Sequence, residues 1–379
     1  MDVRINKLYE IFLYAQKVGF DYGVTFSLRS SPRLKEFLDD LDPELPLDWS
    51  GKSFYGLPEL RERVIETQGY GVSADNVLIT AGTNEALFLV LTQTISPGDE
   101  VVMDMPSWPM VYELCRAYGA KIKIVKRRED LGWGIDLDEL NDAVTPDTRL
   151  IFVNSPNNPT GAIFNEEEMK QVCEIARAND AYLLSDEVYR NLEWEGPSSP
   201  AAVNYYEKAI SAASVSKTLG LQGIRTGWMA TRDRDLLYKC LVLREDASEV
   251  MNVLGEYIAL AALKPGKYER LLGEARDEGN RCWPVIQKWV ERSSVFDWVR
   301  PKAGFLCFVK YDLGIGSEDL CKRLLAKPYR TLIQPGVSYG FEKYIRLGVG
   351  GGNAEEIMKG LEQIDRFVRD FQNAERGRA

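Results

Sequence analysis

Lys217 stands in Ser214-Val215-Ser216-Lys217, directly after the apolar run Ala209 to Ala213 and ahead of Gly220, Gly223 and Arg225. A lysine held at a strand end inside a cleft loses hydration, and neighbouring cations lower its pKa further, so its amine becomes a nucleophile toward a carbonyl. Asp186 closes a second apolar run, and Tyr189 follows three residues later. A carboxylate in that place can pair with a protonated ring nitrogen, with the tyrosine hydroxyl near an oxygen of the same ring. The run Asn154-Ser155-Pro156-Asn157-Asn158-Pro159-Thr160-Gly161 is a rigid turn that holds out the Asn158 amide.

Other residues suit the rest of such a ligand. Ala81-Gly82-Thr83-Asn84 joins a strand to an apolar helix, and the free N–H groups and dipole of that helix start make a phosphate seat. Ser214 and Arg225 could complete it, because a guanidinium binds phosphate in a fork. Trp108, in Pro106-Ser107-Trp108-Pro109, could stack on a flat ring. Arg346, in Tyr344-Ile345-Arg346-Leu347-Gly348, sits in an alternating strand where a charge needs a partner, either a substrate carboxylate or an internal salt bridge. Each residue alone has an ordinary reading as surface lysine, turn-capping aspartate or core tryptophan. Their combination is what points to a site.

Composition narrows the chemistry. The 379 residues contain no histidine, which removes Ser-His-Asp triads, histidine-assisted thiols and the commonest zinc sites, so no metal is expected. A net charge of −10 repels nucleic acid and anionic membrane over most of the surface. The six cysteines form no CxxC pair or dense framework and read as buried thiols of a reducing cytoplasm. No segment has the ~20 apolar residues of a membrane span, and the first residues lack a signal-peptide core.

The elements that must position these residues follow from periodicity. Seven β-rich runs, Asn76–Thr80, Glu100–Asp104, Lys121–Val125, Arg149–Asn154, Tyr182–Ser185, Ala209–Ala213 and Thr226–Ala230, alternate with helical stretches. That pattern predicts an α/β fold with a mainly parallel seven-stranded sheet between helices. Helices are expected at Pro58–Thr67, Thr83–Thr94, Trp108–Ala117, Leu137–Ala143 and Glu166–Asn179, with one or two more over Asp233–Leu263. After Pro265-Gly266 the chain reads as α+β: a helix from Lys267, an antiparallel pair within Phe296–Tyr311, a helix near Glu318–Leu325, and strands at Thr331–Gln334 and Tyr344–Val349. Length priors suggest a large domain over 46–266, with 1–45 and 267–379 forming a smaller one. Ile5, Leu8, Ile11, Phe12 and Ala15 mark an apolar helical stripe, to be packed on the protein's own or a partner's surface, or to act as a lid that orders over substrate.

In this order, from about Gly56 to Gly350, these motifs resemble the class I/II aminotransferases of the fold-type I pyridoxal-phosphate family. The resemblance rests on SVSK with Arg225 eight positions after Lys217, on Asn158-Pro159-Thr160-Gly161, on Asp186 with Tyr189, and on the late Arg346. It implies that Lys217 forms a Schiff base with pyridoxal 5′-phosphate and shuttles a proton, while Asp186 salt-bridges the ring nitrogen. Asn158 and Tyr189 would contact the ring oxygen and Trp108 would stack. Gly82, Thr83, Asn84, Ser214 and Arg225 would hold the phosphate. Arg346, helped by Asn158, would take the substrate α-carboxylate. An amino acid substrate, a 2-oxo acid acceptor and a homodimer with sites at the subunit interface are also implied.

The front of the chain departs from the pattern. The usual substrate-loop glycine gives way to Thr25-Phe26-Ser27-Leu28-Arg29-Ser30-Ser31, which makes Arg29 a candidate substrate contact. The tyrosine that commonly reaches the partner subunit's phosphate is replaced by Gly51, with Tyr55 or Phe54 as substitutes. Some of these features, with Val299-Arg300-Pro301 and Arg346-Leu347-Gly348, also look like the capreomycidine-synthase branch, which implies elimination, replacement or cyclisation as the alternative to amino transfer. A non-catalytic pyridoxal-phosphate sensor is a third reading. It would need an attached DNA-binding module and sits poorly with the acidic balance.

Overall fold

The computed structural model describes residues 2–48, 53–351 and 353–377. All seven expected runs lie in one sheet. Across it the order is Val77–Thr80, Gly227–Thr231, Ala209–Ser214, Tyr182–Asp186, Thr148–Asn154, Glu100–Met105, Lys121–Arg128 and Gly134–Ile135. Neighbours from Ala209–Ser214 to Lys121–Arg128 are parallel, whereas Gly227–Thr231 runs antiparallel to both of its neighbours. The expected count of seven therefore becomes eight. The extra strand is too short to show periodicity in sequence. It forms because Lys121–Arg128 runs on past Val125 and turns back through Trp133, at φ 63°, to pair Arg128 with Gly134.

The period of two explains why this sheet is covered on both sides. Val101, Leu150 and Phe152 pack with Leu87, Leu91 and Leu237 on one face. Val102, Ile151 and Val153, each one residue further on, pack with Met169, Val172 and Cys173 on the other. Lys121–Arg128, near the sheet edge, instead alternates between buried and exposed positions.

The smaller sheet holds Phe296–Trp298, Leu306–Tyr311, Tyr344–Gly348 and Gln334–Pro335, all antiparallel. Here the single strand expected over Thr331–Gln334 is divided. Thr331–Leu332 pairs in parallel with Tyr22–Gly23, and after Ile333 the chain crosses to pair Gln334 with Arg346. This pairing fastens the start of the chain to its last third. The stretch after Asp233 forms two helices, Arg234–Ser248 and Val253–Ala262, separated at Asn252, whose side chain accepts from the Gly255 N–H. No helix of the described residues is long and apolar enough to cross a membrane.

A buried ion pair ties the strands behind their C-terminal ends. Arg127 Nε donates to Asp104 Oδ2 at 2.6 Å, Nη1 to Trp133 O at 2.9 Å and Nη2 to Asn154 O at 3.0 Å. Burial raises the Asp104 pKa, and the guanidinium opposes that shift. Removing one member leaves the other without compensation. Arg127→Leu should lower unfolding free energy by about 3–5 kcal/mol in urea titration, and Asp104→Leu/Arg127→Leu should cost less than the single change.

Candidate active site

Because the central strands are parallel, their C-terminal ends open on one edge, where α/β sheets form ligand crevices. Each connection leaving that edge delivers a residue to a cleft of about 370 Å³. Thr83 and Asn84 come after Val77–Thr80, Trp108 after Glu100–Met105, and Asn158 after Thr148–Asn154. Asp186 and Tyr189 come from the end of Tyr182–Asp186, and Ser214 and Lys217 from the end of Ala209–Ser214. Arg225 and Arg346 also line the cleft.

Lys217 lies in the short helical turn Val215–Thr218, with Nζ 3.2 Å from Ser27 Oγ and 6.0 Å from the centre of the Tyr189 ring. Burial, then the positive charge of Arg346, lowers its pKa to about 8, against the pull of Asp186. The amine is therefore substantially neutral in mild base and able to attack a carbonyl. Asp186 is 4% exposed and accepts from the Val188 N–H at 3.2 Å. Burial raises its pKa to about 7, and no side-chain donor reaches it among the described residues. Such a carboxyl suits a cationic partner supplied from outside the chain. Burial likewise raises the Tyr189 pKa, so its hydroxyl stays protonated and can donate.

The start of helix Thr83–Thr94 has the properties of an anion seat. Gly82 caps it at φ 87°, and a Cβ there would collide with the Arg225 guanidinium. That guanidinium donates to Ala81 O and Gln222 O and has no ion-pair partner among the described residues. Thr83 Oγ1 is buried without a partner, and Ser214 lines the same cleft. An orphaned hydroxyl, a helix N-terminus and an unpaired guanidinium fit a phosphate monoester.

Arg346 is 3% exposed, which raises the question of its counter-ion. Nη1 donates to Tyr339 Oη at 2.8 Å and Asn158 Oδ1 at 3.3 Å, and Nη2 to Thr25 O at 3.1 Å. Nε has no partner, and no carboxylate pairs with the group among the described residues. An internal salt bridge is thus absent there. A buried guanidinium held only by neutral acceptors is a receptor for an anion.

Asn154 joins two parts of the site. Its Nδ2 donates to Asp186 O at 2.9 Å, and its Oδ1 accepts from the Asn158 N–H at 2.6 Å. The segment Thr25–Leu28 reaches the cleft by lying along the strand that carries Arg346: Gly350 N–H donates to Phe26 O at 2.9 Å. Side chains at Gly348 or Gly350 would run into the backbone of Phe26 and Leu28.

The structure does not bring Arg29 to the cleft. Its guanidinium donates to Leu271 O at 2.8 Å and pairs with Glu274 at 3.1 Å, so the group is engaged on the far side of the segment. Gly51 lies outside the described residues. Tyr55 and Phe54 are described and do not line the cleft; the Phe54 carbonyl is held by Arg244. The sequence marks the stretch Thr25–Ser31 as standing at the substrate loop but singles out Arg29 within it; that Thr25 and Ser27 line the cleft instead, with Gln222, depends on contacts far along the chain. The N-terminal stripe does have a signal: Leu8, Ile11 and Ala15 are buried in helix Lys7–Val18, while Leu8, Tyr9 and Phe12 line the cleft.

Comparison with known proteins agrees with this geometry. The family model described as aminotransferase class I and II matches residues 52–364. An aspartate aminotransferase of Pyrococcus horikoshii is 28% identical over 327 residues, covering 83% of this chain and 81% of its own. Aromatic-amino-acid aminotransferase 2 of Thermococcus litoralis is 27% identical over 322 residues, covering 82% of each. The crystal structure of a PLP-dependent aminotransferase from Streptococcus suis superposes with a TM-score of 0.89 at 29% identity, covering 98% of this chain and 99% of that one. Nothing in these comparisons favours the elimination or cyclisation alternative. The chain belongs to the class I and II aminotransferases, and its cofactor is pyridoxal 5′-phosphate.

Proposed function

We propose that this enzyme moves the amino group of an α-amino acid to a 2-oxo acid, with Lys217 as cofactor-bearing base and Arg346 as receptor for the α-carboxylate. The cofactor supplies a carbonyl that takes up amines and a ring that withdraws electrons from the substrate Cα. With the cofactor bound, the Lys217 amine would take up and give back the proton at the substrate Cα, and its pKa of about 8 suits both directions. Asp186 would keep the ring nitrogen protonated. Asn158 and Tyr189 would donate to the ring oxygen, and Trp108 would cover one face. Gly82, Thr83, Asn84, Ser214 and Arg225 would hold the phosphate.

The observation that carries this reading is the convergence in one cleft of the Lys217 amine with two guanidinium groups, Arg225 and Arg346, that have no carboxylate partner among the described residues. In the same reading, 46–266 is the cofactor-binding unit, and 1–45 joins 267–379 in the smaller one. The pairing of Tyr22–Gly23 with Thr331–Leu332 supports that division. A homodimer follows from the family resemblance, and exposed Leu47, Val242 and Leu254 support a partner surface. Six buried free thiols support a cytoplasmic setting.

The test is amino exchange by the holoenzyme between a panel of amino acids and 2-oxoglutarate or pyruvate. Oxo acid and new amino acid should form in equal amounts. Ammonia release without the new amino acid would overturn the reading. Arg346→Lys keeps the charge but loses the fork. It should lower kcat/KM by roughly 100-fold, mainly through KM, as initial rates would show.

A further inference from the structure

Amino transfer as proposed above, on which this inference rests, needs the Lys217 amine in one place once the substrate amine has displaced it from the cofactor. A lysine does not keep such a place by itself, because its amine ends a flexible four-carbon stem. Here Nζ donates to Ser27 Oγ at 3.2 Å, across 190 positions of sequence, and stands 6.0 Å from the centre of the Tyr189 ring. The same serine hydroxyl bonds the Tyr189 side chain and opposes the rise that burial imposes on that phenol. A neighbour that favours the phenol's anionic form is a donor to it, so Ser27 donates to Tyr189 Oη while it accepts from Lys217. The Tyr189 proton is left for an acceptor in the cleft. Amine, serine and phenol thus form a directional chain, whose last donor is the one assigned above to the ring oxygen.

Ser27 is itself held in place, because it is buried and its backbone is clamped on both sides. Before it, Arg346 Nη2 donates to Thr25 O at 3.1 Å, and the Gly350 N–H donates to Phe26 O at 2.9 Å. After it, the Ser30 N–H donates to Glu278 Oε2 at 2.9 Å, and the same carboxylate accepts from the Gly351 N–H at 3.0 Å. The Tyr189 ring packs on Gly304, where a Cβ would stand 3.3 Å from it. Two members of the chain are therefore fixed by their surroundings, and they fix the third. Holding a reacting group in its productive place supplies a large part of a catalysed step, and a displacement of about 1 Å can cost roughly 10²-fold.

We propose that Ser27 is a positioning residue for amino transfer: its hydroxyl holds the released Lys217 amine beside Tyr189, ready to take up and return the proton at the substrate Cα. Ser27 acts through Lys217, while the substrate carboxylate falls to Arg346. Its loss should therefore appear in the rate of conversion and not in substrate affinity.

The experiment compares the unmodified protein with Ser27→Ala and Ser27→Thr. In the holoenzyme, single-turnover conversion of the bound cofactor is followed with the amino acid that reacts fastest in the exchange panel above. Ser27→Ala should slow the limiting rate by about tenfold or more, with the dissociation constant within about twofold. Ser27→Thr keeps the hydroxyl and should recover most of the rate. In cofactor-free protein, the pH dependence of Lys217 acetylation, read by peptide mass mapping, gives a second readout. The charged groups that act on Lys217, namely Arg346, Asp186 and Arg225, are unaltered in Ser27→Ala. Losing an acceptor disfavours the charged amine, so the midpoint should fall below the value of about 8 for the unmodified protein. A limiting rate in Ser27→Ala within about twofold of the unmodified enzyme would overturn the inference and leave amino transfer standing. Equal slowing in both variants with an unmoved midpoint would also overturn it, as the mark of packing alone. Conversion of no amino acid in the panel would overturn amino transfer and the inference with it.

Discussion

Lys217→Ala should abolish the Schiff-base absorbance of the holoenzyme and lower amino exchange by at least about 10⁴-fold, because on the proposed reading the change removes both the covalent anchor and the proton carrier. The loss has to come from chemistry and not from folding. Nζ donates to Ser27 Oγ, and the rest of the turn is held by its own contacts, including the Ser216 N–H to Ser214 Oγ at 3.3 Å. Trimming the side chain therefore leaves the cleft lined as before. If Thr83, Asn84 and Arg225 hold the phosphate as proposed, cofactor binding should stay measurable by dialysis. Added methylamine should restore a fraction of the rate by standing in for the missing base. An unchanged absorbance in the variant would place the carbonyl on another lysine.

Asp186→Ala should lower kcat by roughly 10²- to 10³-fold, the magnitude expected when a preorganised charge next to the reacting system is lost. Its pH behaviour provides an independent check in cofactor-free protein. Burial raises the Asp186 pKa to about 7, so between its unfolded value and neutrality the folded state binds more protons than the unfolded one. This group's contribution therefore makes stability fall as pH rises from about 4 to about 7, then level off. Lys217 acts in the opposite sense at higher pH. With its pKa lowered to about 8, the folded state binds fewer protons than the unfolded one above that point, so its contribution to stability rises with pH until the unfolded lysine titrates near 10.4. In urea titrations of the apoprotein, Asp186→Ala should flatten the fall between pH 4 and 7. A slope equal to that of the unmodified protein would show that the carboxyl is not shifted.

Much of the site was legible because its motifs are local. Asp186 and Ser214 each end, and the turn at Asn158 follows, a strand whose both-face burial leaves a continuous apolar run in the sequence. What escaped depends on contacts between distant segments. Thr25 accepts from Arg346 at 3.1 Å across 321 positions, and the glycines that admit its segment, Gly348 and Gly350, carry no signal of what lies against them. Arg29 misleads for the same reason. A basic residue in a substrate-loop position looks available until the helix Lys267–Glu291 supplies Leu271 O and Glu274. The eighth strand and the crossing at Ile333 rest on two-residue pairings too short to leave a pattern.

The most direct test of the central claim is borohydride reduction of the holoenzyme followed by peptide mass mapping, with and without prior exposure to an amino acid donor. The expected result is a pyridoxyl phosphate adduct on the peptide containing Lys217, lost after the donor is added without an acceptor and regained when a 2-oxo acid follows. An adduct on a different lysine, or one on Lys217 that no amino acid removes, would contradict it.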